Sequence, residues 1–201
     1  MSTQAMTMKR EITPADIWPL DRYSAERKTL KKALVEKKRD RRLDVGPFAT
    51  FYFENYDTMW SQIQEMLWIE KGGDEQLADE LSAYNPLIPQ GSELVATVMF
   101  EIDDKPRREA FLAKLGGIEE TAFIEFDGAR VMAVPEADVD RTTADGKASS
   151  VQFLHFPFTA EQKEKFRKPN TRVIVGFEHS AYSHMSVLGE AGRAALAEDF
   201  D

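Results

Sequence analysis

The chain has 201 residues, of which 42% are hydrophobic and 30% charged, and its formal net charge is -9. This ordinary globular composition excludes collagen, wholesale disorder and a membrane bundle. The chain contains no cysteine, which excludes disulfides, thiolate zinc sites, cysteine-ligated iron–sulfur clusters and a cysteine nucleophile. No stretch approaches the roughly 18 apolar residues of a membrane span, and residues 1–10 lack the apolar segment of a secretory signal. We therefore expect a cytoplasmic protein.

The charge is distributed unevenly. Residues 1–50 carry 12 Lys and Arg against 7 Asp and Glu, a net charge of +5, which leaves -14 for residues 51–201. Most of the positive charge lies in residues 27–42. We interpret this stretch as a helix with a solvated basic face, which could meet an acidic partner or the acidic part of this chain. A nucleic-acid site is the less favoured alternative, because the acidic remainder would repel a polyanion.

The N-terminal part is predicted to be mainly helical. Thr13 has the character of an N-cap, and Pro14 suits the first position of a helix. The aromatic residues that follow the basic stretch are typical of a buried strand. In order, the patterns predict a helix from Pro14 to about residue 42, a strand over 48–54, a helix from Asp57 or Thr58 to Gly72, and a helix over 74–83 that ends before Pro86.

The C-terminal part alternates strands and helices. The turn signal Asp127-Gly128 lies between two short apolar runs and predicts a hairpin. The predicted elements are a strand over 94–102, a helix over 106–115, hairpin strands over 122–126 and 131–134, a polar loop over 136–149, a strand over 151–156, a helix over 159–168, a strand over 171–177 and a helix over 187–200. This order resembles a ferredoxin-like split β-α-β arrangement with an extra strand.

The sequence therefore predicts an α+β protein. We expect an N-terminal helical region, with one short aromatic strand, over residues 1–90. It should pack on a mainly antiparallel, ferredoxin-like sheet over residues 91–201, which ends in a C-terminal helix. No convincing linker separates the two parts, so we expect one compact unit. An exposed sheet edge would allow two copies to pair as a homodimer.

Three histidines are the best candidates for metal binding. In a ferredoxin-like sheet, His155, His179 and Glu93 would lie at one edge. Two imidazoles and a carboxylate suit non-haem iron or zinc, although the two histidines would stand about 10 Å apart across two strand spacings. The alternative is ordinary hydrogen-bonded histidines.

Glu54 and Glu65 are a pair of carboxylates at a second candidate site, where they could ligate iron or exchange protons. No phosphate-binding loop, metalloprotease motif or nucleophile elbow occurs.

Several short strings are similar to a known family. They are Thr50-Phe51-Tyr52-Phe53-Glu54-Asn55, Thr58-Met59 with Gln62 and Glu65-Met66-Leu67, Tyr84-Asn85-Pro86-Leu87-Ile88-Pro89, and His179 with Tyr182. Across essentially the whole chain, the sequence resembles the bacterial domain-of-unknown-function family 3501. The resemblance marks as candidate binding residues Glu54, Asn55, Gln62, Glu65, Tyr84, Asn85, His179 and Tyr182. The resemblance implies no specific activity. Members of that family are described beside rubrerythrin-like and iron–sulfur proteins, and this association implies an accessory redox role.

Three functional hypotheses follow. The first is an accessory protein that docks on a rubrerythrin-like or iron–sulfur redox partner through the basic helix. Such docking should weaken as salt rises. The second is an iron- or zinc-dependent enzyme, which elemental analysis of the purified protein would detect. The third is a nucleic-acid binder, which predicts a steep salt dependence.

Overall fold

The computed structural model describes residues 9–136, 142 and 146–201. Residues 1–8 and most of the predicted polar loop over 136–149 lie outside the described residues. No helix in the described ranges is long and apolar enough to cross a membrane. In chain order the elements are α1 (Leu20–Arg39), β1 (Arg42–Val45), β2 (Ala49–Phe53), α2 (Tyr56–Glu70), α3 (Gly73–Tyr84), β3 (Glu93–Phe100), α4 (Lys105–Leu112), β4 (Ala122–Phe126), β5 (Ala129–Met132), β6 (Val134–Pro135), β7 (Val151–Pro157), α5 (Ala160–Arg167), β8 (Val173–Phe177), β9 (Met185–Leu188) and α6 (Glu190–Ala197).

The strands form two antiparallel sheets. The first has the order β1-β2-β3-β7-β6, and the second has the order β5-β4-β8-β9. One stretch of chain contributes to both sheets, because residues 129–132 pair with β4 whereas residues 134–135 pair with β7. On the opposite side, the Ser186 hydroxyl of β9 donates a 2.6 Å hydrogen bond to the Asp44 carbonyl of β1. The two sheets therefore meet at both sides around a shared core.

The core between the sheets is rich in phenylalanine. Phe51 and Phe53 of β2 point inward and alternate with Thr50 and Tyr52, as the two-residue period of a strand requires. The ring of Phe51 lies 5.2 Å from the ring of Phe177 on β8, so aromatic contacts join the two sheets. Burying aromatic side chains on both inner faces contributes a large part of the hydrophobic stabilisation.

The helix α2 covers the outer face of the five-stranded sheet. Its residues Met59, Ile63 and Leu67 are buried, and they pack with Val95 of β3 in a second hydrophobic cluster. The three residues recur at four-residue steps, which places them on one face of the helix. The helices α1 and α3 flank α2 and pack against it. The outer face of the sheet therefore lies beneath a helical layer.

The α+β class, the N-terminal helices, the antiparallel pairing and the C-terminal helix are confirmed. The strand order differs from a single ferredoxin-like sheet. The strand β3 lies between β2 and β7, whereas β8 pairs with β4 in the second sheet. The physical reason is the change of partner between β5 and β6, which curves the chain around the core. The first sheet also combines strands from both sides of the boundary predicted at residue 90.

Three element boundaries also differ from the prediction. Residues Pro14–Asp16 form a separate 3-10 turn, and α1 begins only at Leu20. Pro19 explains this delay, because the residue before a proline is disfavoured in the helical region. Residues 42–45 form β1 instead of ending α1, and residues 185–188 form β9 ahead of the shorter helix α6.

Arg41 connects distant parts of the chain from a buried position. Its side chain is 6% exposed and forms an ion pair with Asp199, which is 2% exposed. Its Nε donates to the Phe53 carbonyl at 3.0 Å, and its two terminal nitrogens donate to the carbonyls of Glu54 at 3.0 Å and Ala195 at 3.1 Å. The guanidinium therefore fixes the end of β2 to the C-terminal segment.

Replacing Arg41 with Met should lower the free energy of unfolding by about 3–5 kcal/mol, because Asp199 would stay buried without its partner. The matched control is Arg39→Met, which removes an exposed arginine paired with exposed Glu36 and should change stability by about 1 kcal/mol or less. Urea unfolding of both variants measures the difference. Equal losses of unfolding free energy in the two variants would show that the buried ion pair stabilises the protein no more than the exposed one.

Candidate functional site

A cleft lies between the five-stranded sheet and the helical layer. Its floor is formed by Tyr52 of β2, Thr97 of β3 and Phe153 of β7. The strand register sets Tyr52 opposite Thr97 and Thr97 opposite Phe153, so the three side chains share one face of the sheet. Met99 and Val151, the facing pair two residues further along, extend this floor.

Helical side chains form the opposite wall of the cleft. Met59 and Gln62 come from α2, Tyr84 ends α3, and Lys38 comes from the last turn of α1. The cleft has a volume of about 310 Å³, at the small end of the range of about 300–1,000 Å³ for ligand pockets. An apolar groove of about 340 Å³ between the start of α1 and α3 contains none of the residues predicted as binding residues.

Glu54 lines this cleft with its backbone fixed on both sides. Its N–H donates to the Val95 carbonyl at 2.8 Å, and its carbonyl accepts from Arg41 at 3.0 Å. The residue is 5% exposed, and its Oε2 has no hydrogen-bond partner among the described residues. It directly precedes Asn55, the N-cap of α2. An unpartnered buried polar atom costs roughly 1–3 kcal/mol.

Tyr84 and Gln62 face the same space as Glu54. The Gln62 amide lies 3.5 Å from the Tyr84 hydroxyl, to which it donates. Burial raises the pKa of Tyr84, and the negative charges of Glu80, Glu70 and Glu54 raise it further against the opposing effect of Gln62. The phenol therefore keeps its proton at neutral pH and can donate a hydrogen bond. The cleft thus combines a free carboxylate oxygen with a hydroxyl donor.

Glu65 lies on the same helix as Gln62 but faces α1, where its carboxylate is fully engaged. Arg27 binds it with two hydrogen bonds of 2.8 Å, Tyr23 donates at 2.6 Å and Lys31 donates at 2.9 Å. Arg27, together with Tyr23 and Lys31, lowers the pKa of Glu65 to about 2 despite its partial burial. Because every oxygen is occupied, we interpret Glu65 as the residue that joins α1 to α2.

The basic face of α1 is partly used within the chain. Besides the two cations on Glu65, Lys37 forms an ion pair with Asp57 of α2. Lys28 and Lys32 are exposed and form no ion pair with the described residues. The acidic part of this chain thus meets the basic helix, which is one of the two outcomes expected from the charge distribution. Docking of an acidic partner stays a prediction.

Three other predicted binding residues hold the backbone in place. The Asn55 side chain accepts from a backbone N–H of α2 at 3.1 Å, which caps the helix. The Asn85 amide accepts from the Ile12 N–H at 2.8 Å and donates to the Ile12 carbonyl at 2.9 Å. The Tyr182 hydroxyl donates to the last carbonyl of β1 at 2.7 Å. None of the three lines the cleft.

Glu93 of β3 and His155 of β7 lie together on neighbouring strands. The His155 Nδ1 is 2.9 Å from the Glu93 carboxylate, which raises the pKa of the imidazole. His179 lies after β8 of the other sheet, and its Nε2 is 3.2 Å from the Gly116 carbonyl. The triad is not assembled, because β7 and β8 belong to different sheets. No group of three or more His, Cys, Asp or Glu side chains within the described ranges is arranged to hold a metal.

Tyr52, Thr97, Phe153 and Lys38 line the cleft but are not among the predicted binding residues. Tyr52 shares the outer face of β2 with Glu54 because the two are two residues apart, and this alternation is a readable signal. Thr97 interrupts an apolar strand, which is a weaker signal. Phe153 has the pattern of a buried core residue. Nothing distinguishes Lys38 from the other basic residues of α1, because its role depends on where α1 ends over the sheet.

Comparison with known proteins identifies the family. Residues 11–200 match the family described as "Protein of unknown function (DUF3501)". The chain belongs to this family. The crystal structure of a novel protein of unknown function from Burkholderia pseudomallei K96243 is similar to this DUF3501 member, with a TM-score of 0.88 and 33% sequence identity over 94% of this chain and 99% of the other. No curated protein matches the chain.

Replacing Glu65 with Gln should lower the free energy of unfolding near neutral pH by about 2–3 kcal/mol. Its pKa is lowered in the folded protein, so its contribution is present above the ordinary value of 4.5 and is lost as the pH falls toward about 2. The difference between wild type and variant should therefore shrink over this interval in urea unfolding. The matched control is Glu70→Gln, which alters an exposed residue on the same helix. If the difference in free energy of unfolding between wild type and Glu65→Gln did not change with pH, this assignment would be contradicted.

Replacing Glu54 with Met should stabilise the protein, whereas Glu65→Gln should destabilise it. The substitution conserves size and removes a buried carboxylate that has no hydrogen-bond partner among the described residues. We expect the free energy of unfolding to rise by about 1–2 kcal/mol, as residues kept for function often reduce stability. Urea unfolding without added ligand measures this change. A loss comparable with that of Glu65→Gln would indicate that Glu54 has a structural role.

Proposed function

We propose that this protein binds a small polar molecule in the cleft between α2 and the five-stranded sheet. The observation that carries the proposal is the Glu54 carboxylate, which is buried and has an oxygen without a hydrogen-bond partner in the described part of the chain. Buried polar groups without a partner are rare and call for an explanation. A bound donor would supply the missing hydrogen bond and recover the desolvation penalty.

Two further properties support binding. The cleft places apolar side chains beside a few polar groups, which is the usual composition of a ligand site. Its elements are held firmly, since Arg41 fixes the backbone at Glu54 and the Asn55 cap fixes the start of α2. A rigid site loses less conformational entropy when a ligand binds. The side chains of Glu54, Gln62 and Tyr84, all singled out by the family resemblance, converge here.

The functions considered from the sequence rank behind this proposal. Docking on a rubrerythrin-like or iron–sulfur partner would use the exposed lysines Lys28 and Lys32, which are a small part of the original basic stretch. A metal-dependent enzyme would need ligands beyond the Glu93–His155 pair. A nucleic-acid binder would need more cations than α1 leaves unpaired among the described residues. All three remain predictions.

Binding in the cleft can be tested by NMR with a library of small fragments. Fragments that bind should shift the backbone amide signals of Tyr52, Gln62 and Thr97 more than those of the second sheet. The variant Met99→Trp, at a residue that is 37% exposed, should fill the cleft and abolish these shifts. Met132→Trp is the matched control on β5, where the methionine is 41% exposed.

The control variant should bind the same fragments as wild type. If no fragment shifts the cleft amides, the protein does not use the cleft in the proposed way. The same conclusion follows if Met99→Trp and Met132→Trp bind fragments equally well while both give spectra of folded protein.

A further inference from the structure

Resting on the proposed function, we propose that the ligand is a zwitterion whose cationic group binds Glu54 and whose anionic group binds Lys38. The two residues line the same cleft and form no ion pair with each other. Each charge is therefore available to a separate group of one bound molecule. The chemical class is an ω-amino acid, or another compound in which an apolar chain separates an ammonium or guanidinium from a carboxylate.

The cationic end is assigned from Glu54. A neutral donor would satisfy one oxygen, but it would bring no positive charge to balance the carboxylate of a residue that is only 5% exposed. An ammonium or guanidinium supplies both the hydrogen bond and the opposite charge, and such charge-assisted bonds are roughly twice as strong as neutral ones. The phenol rings of Tyr52 and Tyr84 also line the cleft, and aromatic walls favour cations.

The anionic end is assigned from Lys38. Its neighbours in the last turn of α1 are both engaged, Lys37 with Asp57 and Arg39 with Glu36. Lys38 lies between them, is half-buried, and forms no ion pair with the described residues. A half-buried lysine that lines a cleft without an ion-pair partner among the described residues is placed to meet an anion brought by a ligand.

The space between the two charges is mostly apolar. Met59, Leu87, Met99 and Val151 line the cleft together with Phe153. These side chains would contact a chain of methylene groups and exclude water from it. One positive and one negative residue also balance each other, so a polyanion such as a nucleotide would leave most of its charge unpaired. This lining therefore favours a compact zwitterion over a phosphate-bearing ligand.

Isothermal titration calorimetry with a defined series of probes tests the assignment. The probes are the ω-amino acids from 4-aminobutanoate to 8-aminooctanoate, with hexylamine carrying only the cation and hexanoate carrying only the anion. At least one ω-amino acid should bind wild type about tenfold or more tightly than either singly charged probe. Glu54→Gln should weaken binding of the ω-amino acid and of hexylamine about tenfold.

Lys38→Met should weaken binding of the ω-amino acid about tenfold and leave the binding of hexylamine unchanged. The matched controls Glu70→Gln, at the end of α2, and Lys37→Met, next to Lys38 on α1, alter exposed charges and should bind as wild type does. Hexylamine or hexanoate binding as tightly as the best ω-amino acid overturns the proposal, and so does the absence of binding by every probe. Fragment binding in the cleft would in either case still support the proposed function, whereas its absence would overturn both.

Discussion

The buried ion pair between Arg41 and Asp199 is the constraint on which the cleft depends. A guanidinium removed from water is tolerated only when its hydrogen-bonding groups are satisfied. Here the set is completed by the carbonyl of Phe53 at the end of β2, the carbonyl of the next residue, Glu54, and the carbonyl of Ala195 in α6. The backbone beside the cleft is thereby tied to the C-terminal segment, while the side chain of Glu54 is left for binding.

Two carboxylates at the start and middle of the α2 region show how the same residue type acquires different roles. Glu65 receives hydrogen bonds from three side chains and fastens α1 to α2. Glu54 is more deeply buried, and its Oε2 receives none from the described residues. Folding stability alone would favour an apolar residue or a paired carboxylate at this position. A ligand with a cationic group gives a physical reason for retaining the charge.

Local patterns in the sequence predicted the strand before Glu54 and the helix that buries Met59 and Ile63, because both depend on periodicity within a few residues. The division into two sheets could not be predicted in this way. It depends on the partner change between β5 and β6, and on short strands such as β1 whose pairing is set by distant residues. Lys38 is likewise recognised only after α1 is placed over the sheet. The family resemblance selected Glu54, Gln62 and Tyr84, but it also selected Asn55, whose role is to cap a helix.

The most direct test of the account is a crystal structure of the protein with the most tightly bound ω-amino acid. The ammonium nitrogen should lie within hydrogen-bond distance of Glu54 Oε2, and the ligand carboxylate should lie beside the Lys38 ammonium group. A ligand bound outside the cleft, or bound in the reverse orientation, would contradict it. So would a protein side chain that donates to Glu54 Oε2 in place of the ligand.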